Sequence, residues 1–165
     1  QIVAVIWDIF STTDPDKPQD KGIVSILLLY LLFQTMNKYP FHKSEQDWKE
    51  QLDEESYRIL REKGTEYPHS GSYNLHFEDG TYQCKACKEP LFASDNKFES
   101  NCGWSSFSEA IGGKIRYEPD HSHGMIRVEI LCNNCGGHLG HVFPDGPTLS
   151  QRRYCVNSAS LDFKS

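Results

Sequence analysis

The chain has 165 residues, enough for one domain of ordinary size with an extra element. An apolar share of 38% and a charged share of 24% exclude a disordered chain, and a net charge of -6 leaves no electrostatic footprint for nucleic acid. Gln1 rather than Met opens the sequence, which reads as a partial or processed chain.

Residues 1–43 differ in character from the rest of the chain and read as an N-terminal extension of unknown role. Residues 1–10 are apolar apart from Asp8, residues 11–22 form a polar linker with Pro15 and Pro18, and residues 23–33 are strongly apolar. That last stretch is short of the roughly 20 residues a membrane span needs. A truncated membrane anchor, a signal-type stretch and a helix packed on the domain or on itself stay open as readings, so membrane association through residues 23–33 is not decided. The expected location is the cytoplasm, with an organellar or membrane-anchored form as the alternative.

Residues 44–165 read as the functional domain. Ser44 and Asp47 approximate a capping box, and Trp48 and Leu52 share a helix face at i, i+4. A second helix is predicted from Asp53, burying Tyr57 and Leu60 and ending at Gly64 after Arg61 and Lys63. From Thr65 the period changes to two. Thr81 to Cys84 come after an Asp79-Gly80 turn, residues 115–117 and 125–131 alternate, and residues 154–161 read as one final core strand. The class is mainly β, a β-rich α+β domain with antiparallel strands and short helices on the N-terminal side.

Six cysteines divide into two kinds. Cys84 with Cys87 and Cys132 with Cys135 form two C-x-x-C knuckles, which present four thiolates in the pattern of a closed, structural zinc site. Two disulfides, a redox pair or an iron–sulfur cluster are weaker readings. A zinc-ribbon binding module without catalysis is the alternative class. A zinc deaminase is excluded, because neither knuckle comes after a proline.

The other two cysteines stand among reactive residues. His138, His141 and Asp145 lie in a Gly- and Pro-punctuated run, and Arg153, Cys155 and Asn157 come soon after it. On an alternating strand the last three share a face, which would bring a cation and an amide donor to a thiolate whose pKa the cation lowers. Cys102 stands beside Gly103 in a loop and reads as an accessible second thiol able to resolve an oxidised partner. Trp104 next to it could floor a small apolar pocket.

These stretches resemble the B-type methionine sulfoxide reductases. The resemblance runs over residues 44–163 and rests on Lys63-Gly-Thr-Glu66, Cys84 with Cys87, Cys102-Gly-Trp104, Ser106-Phe107, Ser122-His-Gly-Met125 with Arg127 and Glu129, and above all residues 138–147 and 153–161. It implies two antiparallel sheets with N-terminal helices and a four-cysteine zinc site away from the active site. It implies that Cys155 attacks the sulfur of methionine-R-sulfoxide in oxidised proteins, with His141 and nearby His138 supplying the proton. Asn157 and Arg153 would orient polar groups, Asp145 would hold the His and Arg geometry, and Trp104, with Phe143, would receive the substrate. Cys155 would become a sulfenic acid, Cys102 would close a Cys102–Cys155 disulfide, and thioredoxin would reduce it. The chain departs from the family in having Ser105 where Pro is usual, expected to loosen the loop, and His69 where Phe is usual, expected to alter one aromatic wall.

Overall fold

The computed structural model describes residues 38–165 and, before them, Ser25 alone; the apolar stretches and linker read in residues 1–33 otherwise lie outside the described residues. Among the described residues no helix is long and apolar enough to cross a membrane. Residues 39–165 form one unit.

Helix α1 (Glu45–Gln51) begins with the capping box expected at Ser44: its side chain accepts from the Asp47 amide while Asp47 accepts from the Ser44 amide. Helix α2 (Glu54–Glu62) is capped by Asp53, which accepts from the Ser56 amide. The left-handed residue at its end is Lys63 (φ 57°), not Gly64 as the composition suggested. Lys63 Nζ is held by Glu129 Oε2 at 2.7 Å, so tertiary pairing offsets the small cost of a left-handed side chain. Ile59 and Leu60 are buried, while Tyr57 is only half-buried.

Among the described residues the remaining chain forms two antiparallel sheets. The smaller has the order β2 (Pro90–Ala93), β1 (Thr81–Cys84), β9 (Leu161–Lys164). The larger runs β3 (Lys97–Phe98), β4 (Ser105–Phe107), β8 (Arg153–Val156), β7 (His138–Phe143), β6 (Arg127–Cys132), β5 (Ile115–Asp120). Aromatic side chains fill the space between them. Phe92 of the small sheet stacks on Phe107 of the large one (4.4 Å), Tyr82 meets Phe107 at 5.0 Å, and Phe92 meets Tyr154 at 5.6 Å.

The predicted strand over residues 154–161 is two strands. β8 ends at Val156, a 3-10 turn over Ser158–Ser160 intervenes, and β9 starts at Leu161 in the other sheet. Hydrogen bonds at the two serines enforce the break: Ser160 Oγ donates to Asn157 O (2.7 Å), and the Ser158 amide donates to Glu66 Oε1 (2.8 Å). The alternation that remains in β8 sorts the sheet's faces. Tyr154 and Val156 point into the core, and Arg153 and Cys155 point away from it.

Candidate active site and metal centre

The four knuckle cysteines converge as their spacing predicts. Cys84 Sγ lies 3.6 Å from Cys135 Sγ, Cys87 Sγ lies 3.6 Å from Cys132 Sγ, and all four sulfurs lie within 4.8 Å of one another. A tetrahedron of sulfurs about 2.3 Å from a central ion has an edge of about 3.8 Å, so the cluster fits one thiolate-bound metal ion with no position left for water. Gly136 turns the second knuckle at φ +73°, and a Cβ there would meet the Tyr39 ring at 2.3 Å. The Phe41 amide donates to Asn134 O (2.9 Å), so residues 39–41 lie along this knuckle.

The second site lies on the outward face of the large sheet. Direct strand partners run Glu129, His141, Cys155, Ser106 across β6, β7, β8 and β4, which lines these side chains up in one row. Simple alternation would send His138 and His141 to opposite faces, being three apart. A register shift between Ile130 and Leu131 gives β7 one extra residue and turns both histidines the same way, with ring centroids 5.6 Å apart. Gly140 makes the bulge at φ +149°, where a Cβ would lie 2.1 Å from Cys155 O.

Each histidine is held by a carboxylate. His138 Nδ1 lies 2.7 Å from Glu129 Oε1, and His141 Nε2 lies 2.8 Å from Asp120 Oδ2. Burial pushes the Glu129 carboxyl up, but His138 and Lys63 outweigh it and hold the group below its ordinary value. The Ser122 amide and hydroxyl, followed by His141, hold Asp120 well below the carboxylate range. Both carboxylates are therefore ionised and can only accept, so the ring nitrogens donate. Burial holds the His141 pKa below its usual value, with Asp120 opposing. Asp145, expected to hold both His and Arg, holds only Arg153, through paired bonds of 2.9 and 2.8 Å. The carboxylate on His141 is Asp120, to which the sequence alone assigned no role.

Cys155 sits in a small cavity of about 100 Å³ lined by Thr65, Trp104, Arg127, Gly140, His141, Phe143, Cys155 and Asn157. Trp104 Nε1 donates to Glu66 O (3.2 Å), and the Arg153 guanidinium stacks on Phe143 at 4.8 Å from its centroid. The volume suits the end of a side chain, a sulfur with its methyl group, and the walls are mostly apolar. Asn157 lines this cavity, but its amide is engaged elsewhere: Nδ2 donates to Leu139 O (3.0 Å) and Oδ1 accepts from the Glu66 amide (3.1 Å). It is a brace between two segments, not a donor offered to Cys155.

Cys102 Sγ lies 3.7 Å from Cys155 Sγ. Two sulfurs this close do not both ionise. The contact with Cys155, helped by Ser100 and Ser106 hydroxyls, brings Cys102 down to about 4. The contact with Cys102 and burial push Cys155 up, and Arg153 opposes them without prevailing. The expectation that Arg153 would lower the Cys155 pKa thus has the right sign for that one contact and the wrong net result while Cys102 is in place.

Ser105 is not in a loosened loop. It is fully buried, opens β4 opposite Val156, and its Oγ lies 3.3 Å from Ser158 Oγ. His69 is exposed and lines no wall of the Cys155 cavity; its amide donates to Gly103 O (2.7 Å). Glu66, Asp120 and Glu129 are among the polar residues of the site to which the sequence alone assigned no role. Glu66 and Glu129 stood inside the motifs, whereas Asp120 had no local signal, because its partner lies 21 residues away.

Comparisons with known proteins identify the family. Residues 52–165 match the SelR domain family. The peptide methionine sulfoxide reductase MsrB of Agrobacterium fabrum is 54% identical over 124 residues, which cover 74% of this chain and 92% of that protein. The MsrB proteins of Variovorax paradoxus (52% over 131 residues, 76% and 96%) and Hahella chejuensis (55% over 124 residues, 74% and 89%) are similar to the same extent. The chain therefore belongs to the SelR-domain family, the B-type methionine sulfoxide reductases, which are oxidoreductases.

Proposed function

We propose that the chain reduces methionine-R-sulfoxide in oxidised proteins through a Cys155 sulfenic acid, a Cys102–Cys155 disulfide and thioredoxin. The observation that carries this reading is the 3.7 Å approach of Cys102 Sγ to the Sγ of Cys155, which itself lines a cavity sized for a methyl sulfoxide. Cys155 attacks the sulfoxide sulfur, and its thiol proton passes by way of His141 to the sulfoxide oxygen. The substrate sulfur gains two electrons and leaves as a thioether, while Cys155 loses two and keeps the oxygen as a sulfenic acid. Cys102 then attacks the Cys155 sulfur, the hydroxyl leaves as water with one proton, and a disulfide forms. A thioredoxin dithiol returns the pair to thiols by exchange, which suits a reducing compartment such as the cytoplasm. Trp104 and Phe143 support substrate placement by walling the cavity.

The four-cysteine cluster would hold zinc. Thiolate-bound zinc supplies no reactive position; Cys84, Cys87, Cys132 and Cys135 would fasten β1 and β6 together through it.

The test is reduction of the R- and S-sulfoxides of a blocked methionine with dithiothreitol. The expected result is turnover of the R form alone. No turnover of either, or preference for the S form, overturns the reading.

A further inference from the structure

We propose that Asp120 is a positioning residue for the reduction: it fixes His141 in the Nε2-protonated tautomer and leaves Nδ1 as the ring nitrogen that exchanges a proton beside Cys155. The inference rests on the reductase reading above and deepens it.

Asp120 ends β5, and β6 and β7 stand between it and Cys155 on β8. Its Oδ2 takes His141 Nε2 at 2.8 Å and Arg127 Nη2 at 2.6 Å, and its Oδ1 takes the Ser122 amide at 2.8 Å. Three donors from three places leave the carboxylate one orientation. An ionised carboxylate accepts only, so His141 must carry its proton on Nε2 to make this bond. A neutral imidazole has one proton, and Nδ1 is then a lone pair. His141 lines the Cys155 cavity and is the direct strand partner of Cys155, so that lone pair belongs to the ring that borders the thiol.

The neighbouring histidine is set the other way. Glu129 holds His138 by Nδ1, which makes Nε2 the unprotonated nitrogen of the neutral ring, and that Nε2 is buried without a hydrogen-bond partner. Opposite tautomers on adjacent rings distinguish the two: His141 exchanges through Nδ1, whereas the free nitrogen of His138 is shut away from solvent, although both residues line a larger polar cavity of about 400 Å³. The charged and titratable groups that share a cavity with His141 are Lys63, His123, Asp120 from β5, Arg127 and Glu129 from β6, His138 on β7, and Cys155 from β8. Among them Asp120 alone bonds Nε2. Attack needs the proton to leave sulfur and reach the sulfoxide oxygen, and one fixed lone pair able to take it and give it back serves both halves without a net change at His141.

The experiment is nitrogen-15 NMR of histidine-labelled, reduced, metal-loaded full chain at pH 7.5, paired with single-turnover rates on the blocked methionine-R-sulfoxide. The wild-type chain should show His141 protonated at Nε2 and His138 at Nδ1. Asp120→Asn, which can present either an acceptor or a donor to the ring, should give a mixture of His141 tautomers and a first-turnover rate lower by about 100-fold, with little change in KM. A wild-type His141 protonated at Nδ1 overturns the proposal, and this measurement needs no variant to fold. So does an Asp120→Asn chain that keeps the Nε2 tautomer, or one that loses it with the rate unchanged. A wild-type chain inactive on the R-sulfoxide would sink the reductase reading instead, and the tautomer spectrum would still be readable.

Discussion

Cys102 and Cys155 face each other with sulfurs 3.7 Å apart, and the protein places their proton on Cys155. The first consequence concerns alkylation. Cys102, brought down to about 4, should react with iodoacetamide in mildly acidic solution, while Cys155 should not. Replacing Cys102 by Ala removes the contact that does most to raise Cys155 and leaves Arg153 acting on it, so the Cys155 pKa should fall and its alkylation profile should move to lower pH. Mass-mapped alkylation rates across pH check this. An unmoved Cys155 profile would show that burial alone sets its pKa.

The two thiols should also separate kinetically. Cys155→Ser should abolish sulfoxide reduction, since no other sulfur lines the cavity. Cys102→Ser should release one methionine per chain and then stop under thioredoxin, because the sulfenic acid has no near partner. Quenched-flow methionine release measures both. Steady thioredoxin-driven turnover by Cys102→Ser would require a different resolving route.

Glu66 joins the substrate wall to the nucleophile strand. Its backbone carbonyl takes Trp104 Nε1, its amide binds Asn157, and its carboxylate takes the Ser158 and Ala159 amides. Glu66→Ala leaves those last two donors without partners and should cost about 3 kcal/mol in urea unfolding, while the backbone carbonyl that takes Trp104 Nε1 stays in place. Burial also pushes the Glu66 carboxyl above its ordinary value. The folded chain thus holds this proton more tightly than the unfolded one, and the contribution declines as pH rises through the folded pKa. The gap between wild type and variant should therefore be wider near pH 4 than at pH 8. A gap that widens with pH would contradict the assigned direction.

What the sequence made legible tracks the range of the interactions. The knuckles declare themselves because each contributes two sulfurs from one tight turn, and the Ser44 cap works within four residues. The nucleophile strand reads correctly as far as Val156, where alternation holds. It misleads beyond that, because residues 154–161 still look alternating while Ser158 and Ser160 commit their hydroxyls to backbone and braces. The partners of the two histidines were hidden for another reason. Glu129 and Asp120 meet His138 and His141 only through strand register, and register in turn depends on the one-residue bulge at Gly140. Assigning Asp145 to the histidines by nearness in sequence was the natural error: it is four residues from His141, yet its carboxylate faces Arg153.

The metal cluster has a neighbour that can be tested apart from the cysteines. Cys84→Ser should lower zinc content and thermal stability together, and one zinc per chain retained by that variant would refute the four-cysteine assignment. Gly136→Ala reaches the same site by a different route. It puts a side chain at φ +73°, which costs about 1–2 kcal/mol for an L residue, and drives a Cβ into the Tyr39 ring. The knuckle must then shift or residues 39–41 must leave it, so zinc should pass faster to a chromogenic chelator and the melting temperature should drop. Tyr39→Ala keeps the glycine and removes only the ring. By uncovering the knuckle it should also speed zinc release, with a smaller loss of stability. Release unchanged in Tyr39→Ala but faster in Gly136→Ala would assign the whole effect to backbone strain at the knuckle.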